Sequence, residues 1–233
     1  MGNVFVQTNN VLKFNSAMKE RERSLGEPTL LAFTGPAGRG KTTTARYFAA
    51  KEGWTYCRVL KGWRQSELWM LQDMCFELQV DPTPKRKQPA FNAIVDTLRK
   101  SPRTVVVDEA DKLNDSLLEW IRDIADVTFA PFALVGEKGL IHMMKHERRI
   151  WSRTVRHVEF EPIKAQDVFM FAQQAEGLKL TMGQAEMLQQ AAEGDFRPVC
   201  REIRRIAELC RVNGCTEVTD DMVQKAIKDG LRG

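Results

Sequence analysis

The eight residues Gly35-Pro-Ala-Gly-Arg-Gly-Lys-Thr42 constrain this chain more than any other segment. They follow an apolar run, TLLAFTG (Thr29 to Gly35), that reads as a buried parallel strand, and they open a helical stretch, Lys41 to Lys51. Strand, glycine loop and helix in that order make a cradle for phosphate. Glycines let backbone N–H groups curl toward an anion, and the helix N-terminus favours negative charge. Lys41 can reach β- and γ-phosphates and the Thr42 hydroxyl can ligate Mg²⁺. Gly35, Pro36, Ala37, Gly38, Arg39, Gly40 and Thr43 complete the candidate nucleotide contacts. A chance glycine-rich turn is the competing explanation, and the agreement of strand, loop and helix argues against it.

A second segment fits the first. Val105-Val-Val makes a buried strand, and Asp108-Glu109 falls at its C-terminal end, where open α/β sheets place their ligands. Asp108 is the candidate for holding Mg²⁺ through water, and Glu109 the candidate for polarising an attacking water. An acid pair ending a strand can also be a solvated turn; the upstream glycine loop favours the catalytic reading.

Strands alternate with helices through the first two-thirds of the chain. Strands are expected at Trp54–Leu60, Arg103–Ala110, Phe132–Gly136 and Val155–Phe160, with helices at Val11–Arg23, Gln65–Gln79, Ala90–Lys100 and Asp115–Asp126. On the Gln65–Gln79 helix the apolar face is expected to be Leu68, Leu71, Met74, Cys75 and Leu78. Val80 to Pro89, with three prolines and the run Lys85-Arg86-Lys87, reads as a loop. This alternation argues for a parallel five-stranded sheet flanked by helices. Beyond Pro162 only helices are expected, at Ala165–Glu176, Met182–Ala192, Arg197–Val212 and Thr219–Lys228. The expected division is an extension over 1–26, an α/β nucleotide-binding domain over 27–162 and a small all-α lid over 163–233.

Composition narrows the class without naming a partner. With 43 % apolar and 28 % charged residues the chain is that of a globular protein. No apolar run is long enough to span a bilayer, and no signal core follows the N-terminus, so a cytoplasmic protein without a membrane partner is expected. Five cysteines, an odd number with no CxxC, suit reduced thiols. A net charge of +4 is too mild to establish a nucleic-acid partner. His142 and His146 are spaced i, i+4 but lack an evident third ligand, which argues against a zinc site.

GPAGRGKTT together with VVVDEADKL resembles the AAA+ ATPases, and the likeness extends from about Thr29 to Lys228. A helicase reading of Asp-Glu-Ala-Asp111 would need a second motor domain. The AAA+ resemblance implies ATP as the nucleotide, and it implies further roles. Glu137, just past the FALVG strand, is the nearest polar candidate for a sensor, although it departs from the usual Asn, Thr or Ser. Ser152-Arg153 resembles the segment carrying an arginine finger, which would reach a neighbouring subunit's γ-phosphate; a surface arginine is the plainer alternative. Gly194-Asp-Phe-Arg197-Pro resembles the lid motif whose arginine contacts nucleotide, and it also reads as a capped helix start with Asp195 as N-cap.

Within AAA+, LLEWIRDIADVTFAPFALVGEKGL is similar to the target-selection ATPases of transposable phages and transposons and to their ExeA-type relatives. That branch implies an ATP-loaded homo-oligomer or filament on double-stranded DNA that serves a transposase. With only the 1–26 extension ahead of it, the ATPase core would carry the DNA contacts. Lys61, Arg64, Lys85, Arg86 and Lys87 are the candidates, with Lys138, Lys145 and the Arg201, Arg204, Arg205 and Arg211 set as further basic surface. Trp63 could pack on a sugar or base, or belong to the core. A clamp loader or helicase, and a switch ATPase with a protein partner and no DNA, are the alternatives.

Overall fold

A computed structural model of the chain describes residues 5–22, 29–215 and 217–230. The expected boundary at 26/27 and Arg23 lie outside the described residues. Two compact units form, one from Lys13–Pro36 and Lys41–Phe160, the other from Met1–Leu12, Ala37–Gly40 and Glu161–Gly233.

The first unit is built on five parallel strands: β1 (Leu30–Thr34), β2 (Thr55–Arg58), β3 (Val105–Asp108), β4 (Phe132–Gly136) and β5 (Thr154–Glu159), in the spatial order β2-β3-β4-β1-β5. β1, β3 and β4 are buried at every position, which is why they read as unbroken apolar runs. β5 lies at an edge with Val155, Arg156 and His157 exposed, a mixed pattern that discourages pairing with another chain.

One sheet face presents Leu30, Ala32, Cys57, Val105, Val107, Phe132 and Leu134. This face joins a core with α3 (Glu67–Glu77), α4 (Lys87–Lys100), α5 (Asp115–Thr128), α6 (Gly139–His146) and Ile150 of the short α7 (Arg148–Trp151). On the other face Phe33 meets Phe14 of α1 (Asn9–Glu22), ring centroids 4.2 Å apart, and Phe14 stacks on Phe48 of α2 (Lys41–Glu52) at 5.5 Å. Phe14 is 0 % exposed. Burying such a ring stabilises by about 1.5–3 kcal/mol, so the segment expected to be an extension supplies part of the core.

Several elements differ from the sequence expectation. The Gln65–Gln79 helix is a 3-10 turn over Lys61–Arg64 followed by α3, with Met70 buried and Leu68 only half-buried. The loop expected through Pro89 ends at Arg86, because α4 starts at Lys87 and tolerates Pro89 in its first turn, where a proline forfeits no intrahelical hydrogen bond. α6 and α7 are short helices the periodicity did not reveal. No helix among the described residues is long and apolar enough to cross a membrane.

The second unit contains α8 (Ala165–Glu176), α9 (Met182–Ala191), α10 (Phe196–Asn213) and α11 (Asp220–Gly230). α10 buries Val199, Ile203, Ile206 and Cys210 along one face, and its N-cap Asp195 accepts the Arg197 N–H at 2.7 Å. Gln184 is buried and donates to Val218 O at 3.0 Å and to Asp220 Oδ1 at 2.9 Å, tying α9 to the start of α11. A single parallel bridge, Lys179 to Glu217, adds to the expected all-helical pattern.

Candidate functional site

β1 and β3 run parallel on either side of β4, so the glycine loop after Thr34 and the acid pair after Val107 open at the same, C-terminal edge of the sheet. Thr34 ends β1 with its hydroxyl 2.7 Å from His157 Nε2. Lys41 opens α2, and its ammonium donates to the carbonyls of Gly35 and Pro36, both at 2.7 Å. Gly40 has φ +86°, a conformation that an L side chain rarely adopts.

Residues Ala37–Gly40 belong to the second compact unit. There Gly38 (φ +74°) accepts the Phe196 N–H at 2.9 Å, and Arg39 Nη1 donates to Glu193 O at 3.0 Å. A Cβ on Gly38 would lie 1.9 Å from Asp195 Oδ1, so only glycine fits against this turn. Arg197, exposed in the first turn of α10, follows directly.

Asp108 is 2 % exposed and both of its oxygens accept hydrogen bonds: Oδ1 from the Glu109 N–H at 2.9 Å, Oδ2 from the Tyr56 hydroxyl at 2.6 Å. Each oxygen keeps a second acceptor direction. A buried, oriented carboxylate of this kind fits one that holds Mg²⁺ through water, and Thr42, half-buried at the start of α2, fits as the direct hydroxyl ligand. Burial and the hydrogen bond to Asp108 push the Tyr56 phenol up to about 12.

Glu109 sits in the left-handed region, φ +58°, just past β3. Arg58 at the end of β2 pairs with its Oε1, and Lys112 pairs with its Oε2. Burial alone would raise this carboxyl, but Lys112 and Arg58 outweigh it and hold the group below the usual carboxylate range. Arg64 in turn donates to Lys112 O at 2.5 Å. A chain of contacts therefore runs from the 61–64 turn to Glu109.

Arg153 lies elsewhere. It immediately precedes β5, and its carbonyl accepts the Leu30 N–H at 2.9 Å, which places it at the N-terminal edge of the sheet. Five residues of β1 at about 3.3 Å each put roughly 16 Å between that edge and the glycine loop. Its guanidinium is bonded to Asp126 Oδ1 at 2.5 Å and to Arg149 O at 2.8 Å. Glu137 is exposed after β4, and its N–H donates to Asp111 Oδ1 at 2.8 Å.

Among the basic candidates, Lys61, Arg64, Lys85, Arg86 and Lys87 are all exposed. Lys87 pairs with Glu67, which also accepts the Ser116 hydroxyl, so the starts of α3, α4 and α5 meet. Trp63 is 1 % exposed and donates Nε1–H to Asp73 at 2.6 Å, which removes it from any DNA surface: it is a core residue. The structure adds three residues the sequence did not single out. Lys112 was readable as an i+3 partner of Glu109. Tyr56 and Arg58 were not, because only strand pairing (Tyr56 with Val106, Arg58 with Asp108) brings β2 beside β3.

The described residues contain no group of His, Cys, Asp and Glu suited to a metal on its own. The cysteines are free, and burial pushes the Cys75 and Cys200 thiols up to about 11.

A parallel sheet with a glycine loop after its first strand and an acid pair after its third defines a P-loop nucleotide-binding ATPase. Residues 23–144 match the family described as AAA domain, more than half of the chain, and the chain belongs to that family. It is similar to the ATP-dependent target DNA activator B of Escherichia phage Mu, 27 % identical over 97 % of this chain and 73 % of that protein. It is also similar to the Mu-like prophage FluMu DNA transposition protein B of Haemophilus influenzae, 27 % identical over 68 % of this chain and 58 % of that one. Solved structures share the fold. The Aeropyrum pernix ORC2 protein superposes with a TM-score of 0.69 at 17 % identity, covering 97 % of this chain and 68 % of that one. The Thermotoga maritima RuvB Holliday junction branch migration motor does so with 0.61 at 22 %, covering 96 % and 70 %.

Proposed function

We propose that this ATPase assembles on double-stranded DNA when loaded with ATP, captures it without regard to sequence, and activates a transposase there. The observation that carries the proposal is similarity over nearly the whole chain to a protein named as an ATP-dependent target DNA activator. In this reading the loop Gly35–Thr43 wraps the triphosphate and Lys41 exchanges its loop carbonyls for the β- and γ-phosphates. Thr42 and Asp108 would hold Mg²⁺, which would supply positive charge to the phosphates when bound. Glu109 orients and polarises the attacking water. Arg197, in the same compact unit as Ala37–Gly40, is a further nucleotide contact in this reading.

Arg153 favours an oligomer in particular. At the opposite sheet edge it cannot serve its own phosphates, so a role in hydrolysis is a role toward a neighbour. Lys61, Arg64, Lys85, Arg86 and Lys87 supply exposed cations for DNA phosphates. The modest net charge then has to be multiplied by assembly.

Co-sedimentation with random-sequence duplex DNA tests the proposal. The wild-type chain is expected to be retained with ATP and Mg²⁺ at low salt, and not without nucleotide. Lys41→Ala is expected to lose retention under all conditions. Absence of ATP-dependent retention at low salt would overturn the proposal in favour of a switch with a protein partner.

Salt dependence tests the basic loop. Changing Lys85, Arg86 and Lys87 together to Ala is expected to flatten the slope of log affinity against log salt by roughly 2, at about 0.9 per phosphate contact, since Glu67 already occupies Lys87. An unchanged slope excludes the loop from the interface.

A further inference from the structure

We infer that Tyr56 is a positioning residue for the Mg²⁺-side carboxylate, with Arg46 directing its proton. The inference rests on reading Asp108 as that carboxylate, and it concerns a residue on the edge strand β2, outside both motifs.

Three observations carry it. The Tyr56 hydroxyl lies 2.6 Å from Asp108 Oδ2, and Arg46 Nε lies 3.2 Å from the same hydroxyl. The Arg46 guanidinium also sits 5.3 Å from the centre of the Tyr56 ring. Arginine has only donors to offer, so its N–H occupies a lone pair of the phenol oxygen. The phenol's single proton is thereby left to point at Asp108, and the bond has one possible direction.

Strand register explains why a tyrosine is suited to this. Tyr56 pairs with Val106 and Arg58 with Asp108 in the parallel β2–β3 ladder. Residues two apart share a face, so Tyr56 is on the Asp108 side and one step short of it along the strand. A long, rigid side chain crosses that diagonal, where serine or threonine would fall short. With Oδ1 fixed by the Glu109 N–H and Oδ2 by Tyr56, the carboxylate plane is set from both ends. Its remaining lone pairs are then held in fixed directions, as a carboxylate that would hold Mg²⁺ through water requires. Outer partners of this kind tune metal affinity without touching the ion.

The consequence is specific. Without the hydroxyl, nucleotide should still enter the glycine loop, while the extra affinity conferred by Mg²⁺ should shrink. The full chain is titrated with a fluorescent ADP analogue in Mg²⁺ and in EDTA, for wild type, Tyr56→Phe, Arg46→Gln and Asp108→Asn. Affinity in EDTA is expected to stay within about twofold for Tyr56→Phe. The Mg²⁺-dependent gain is expected to shrink about tenfold, the low end of outer-partner effects. Arg46→Gln, on the exposed face of α2, is expected to shrink it in the same direction and by less, and it keeps the test open should Tyr56→Phe fold poorly.

If Asp108→Asn diminishes the gain while neither Tyr56→Phe nor Arg46→Gln does, the positioning role is overturned. If Tyr56→Phe alone diminishes it, Arg46 is removed from the arrangement. If Asp108→Asn leaves the gain intact, the underlying assignment of Asp108 fails instead. A Tyr56→Phe loss equal in EDTA and in Mg²⁺ marks general damage to the strand and also overturns the inference.

Discussion

Glu109→Gln is expected to lower ATP hydrolysis about 100- to 10,000-fold while leaving nucleotide affinity within a few-fold of wild type. The amide keeps the shape of the side chain and loses the charge that polarises water. It also loses both ion pairs, with Arg58 and with Lys112. Those pairs are local to the loop after β3, whereas the phosphate loop follows β1, two strands away in the sheet. Binding and hydrolysis should therefore separate, and the variant should accumulate in an ATP-bound, DNA-retained form. Single-turnover hydrolysis beside a fluorescent-nucleotide titration measures the two quantities. Hydrolysis at the wild-type rate would reassign the water-activating role.

Arg58 and Lys112 hold the same carboxylate in place. In the structure each of its oxygens accepts from one cation and keeps a second acceptor direction, so an acceptor position stays available while both pairs are made. Arg64, bonded to the Lys112 carbonyl, connects these pairs to the 61–64 turn, whose exposed residues Lys61 and Arg64 are candidate DNA contacts. The pairs are partly exposed and individually weak, so each can be lost at small cost.

The second large effect belongs to Arg153. Replacing it with Ala is expected to remove about 1,000-fold of the hydrolysis seen in the assembled state, the lower end of what an arginine finger contributes. The slow hydrolysis of dilute, unassembled chains should not change, since the residue stands at the far edge of its own sheet. Hydrolysis rate as a function of protein concentration separates the two regimes. A loss of equal size at high dilution would contradict a role across subunits.

How much of this was legible beforehand depends on whether the information is local. The glycine loop and the acid pair were readable because each depends on a few adjacent residues in a strand context that apolar runs announce. α10 was equally readable, from Asp195 at its cap to the spacing of Val199, Ile203 and Ile206. α6 and α7 were not, because helices of 8 and 4 residues offer too few turns for a period to stand out. The importance of Phe14 was hidden for another reason: its partners Phe33, Phe48, Trp54 and Phe160 are scattered along the chain. Tyr56 and Arg58 gain meaning only through the β2–β3 register, a fact no single segment contains. Trp63 shows the converse, a residue whose basic neighbours suggested a surface while its indole was committed to Asp73.

If Arg153 serves a neighbour as proposed, its pair with Asp126 gives the encounter between two chains a threshold. With side chains 33 % and 25 % exposed, the pair is worth about 0–1 kcal/mol. An isolated chain holds its arginine on Asp126 and the Arg149 carbonyl, and a neighbour would have to displace an aspartate rather than recruit a freely moving side chain. The concentration at which subunits join rises by no more than about fivefold for each contact on that account. Because the cost is the same at every junction, it would raise the concentration at which an array forms without distinguishing its first contact from its later ones.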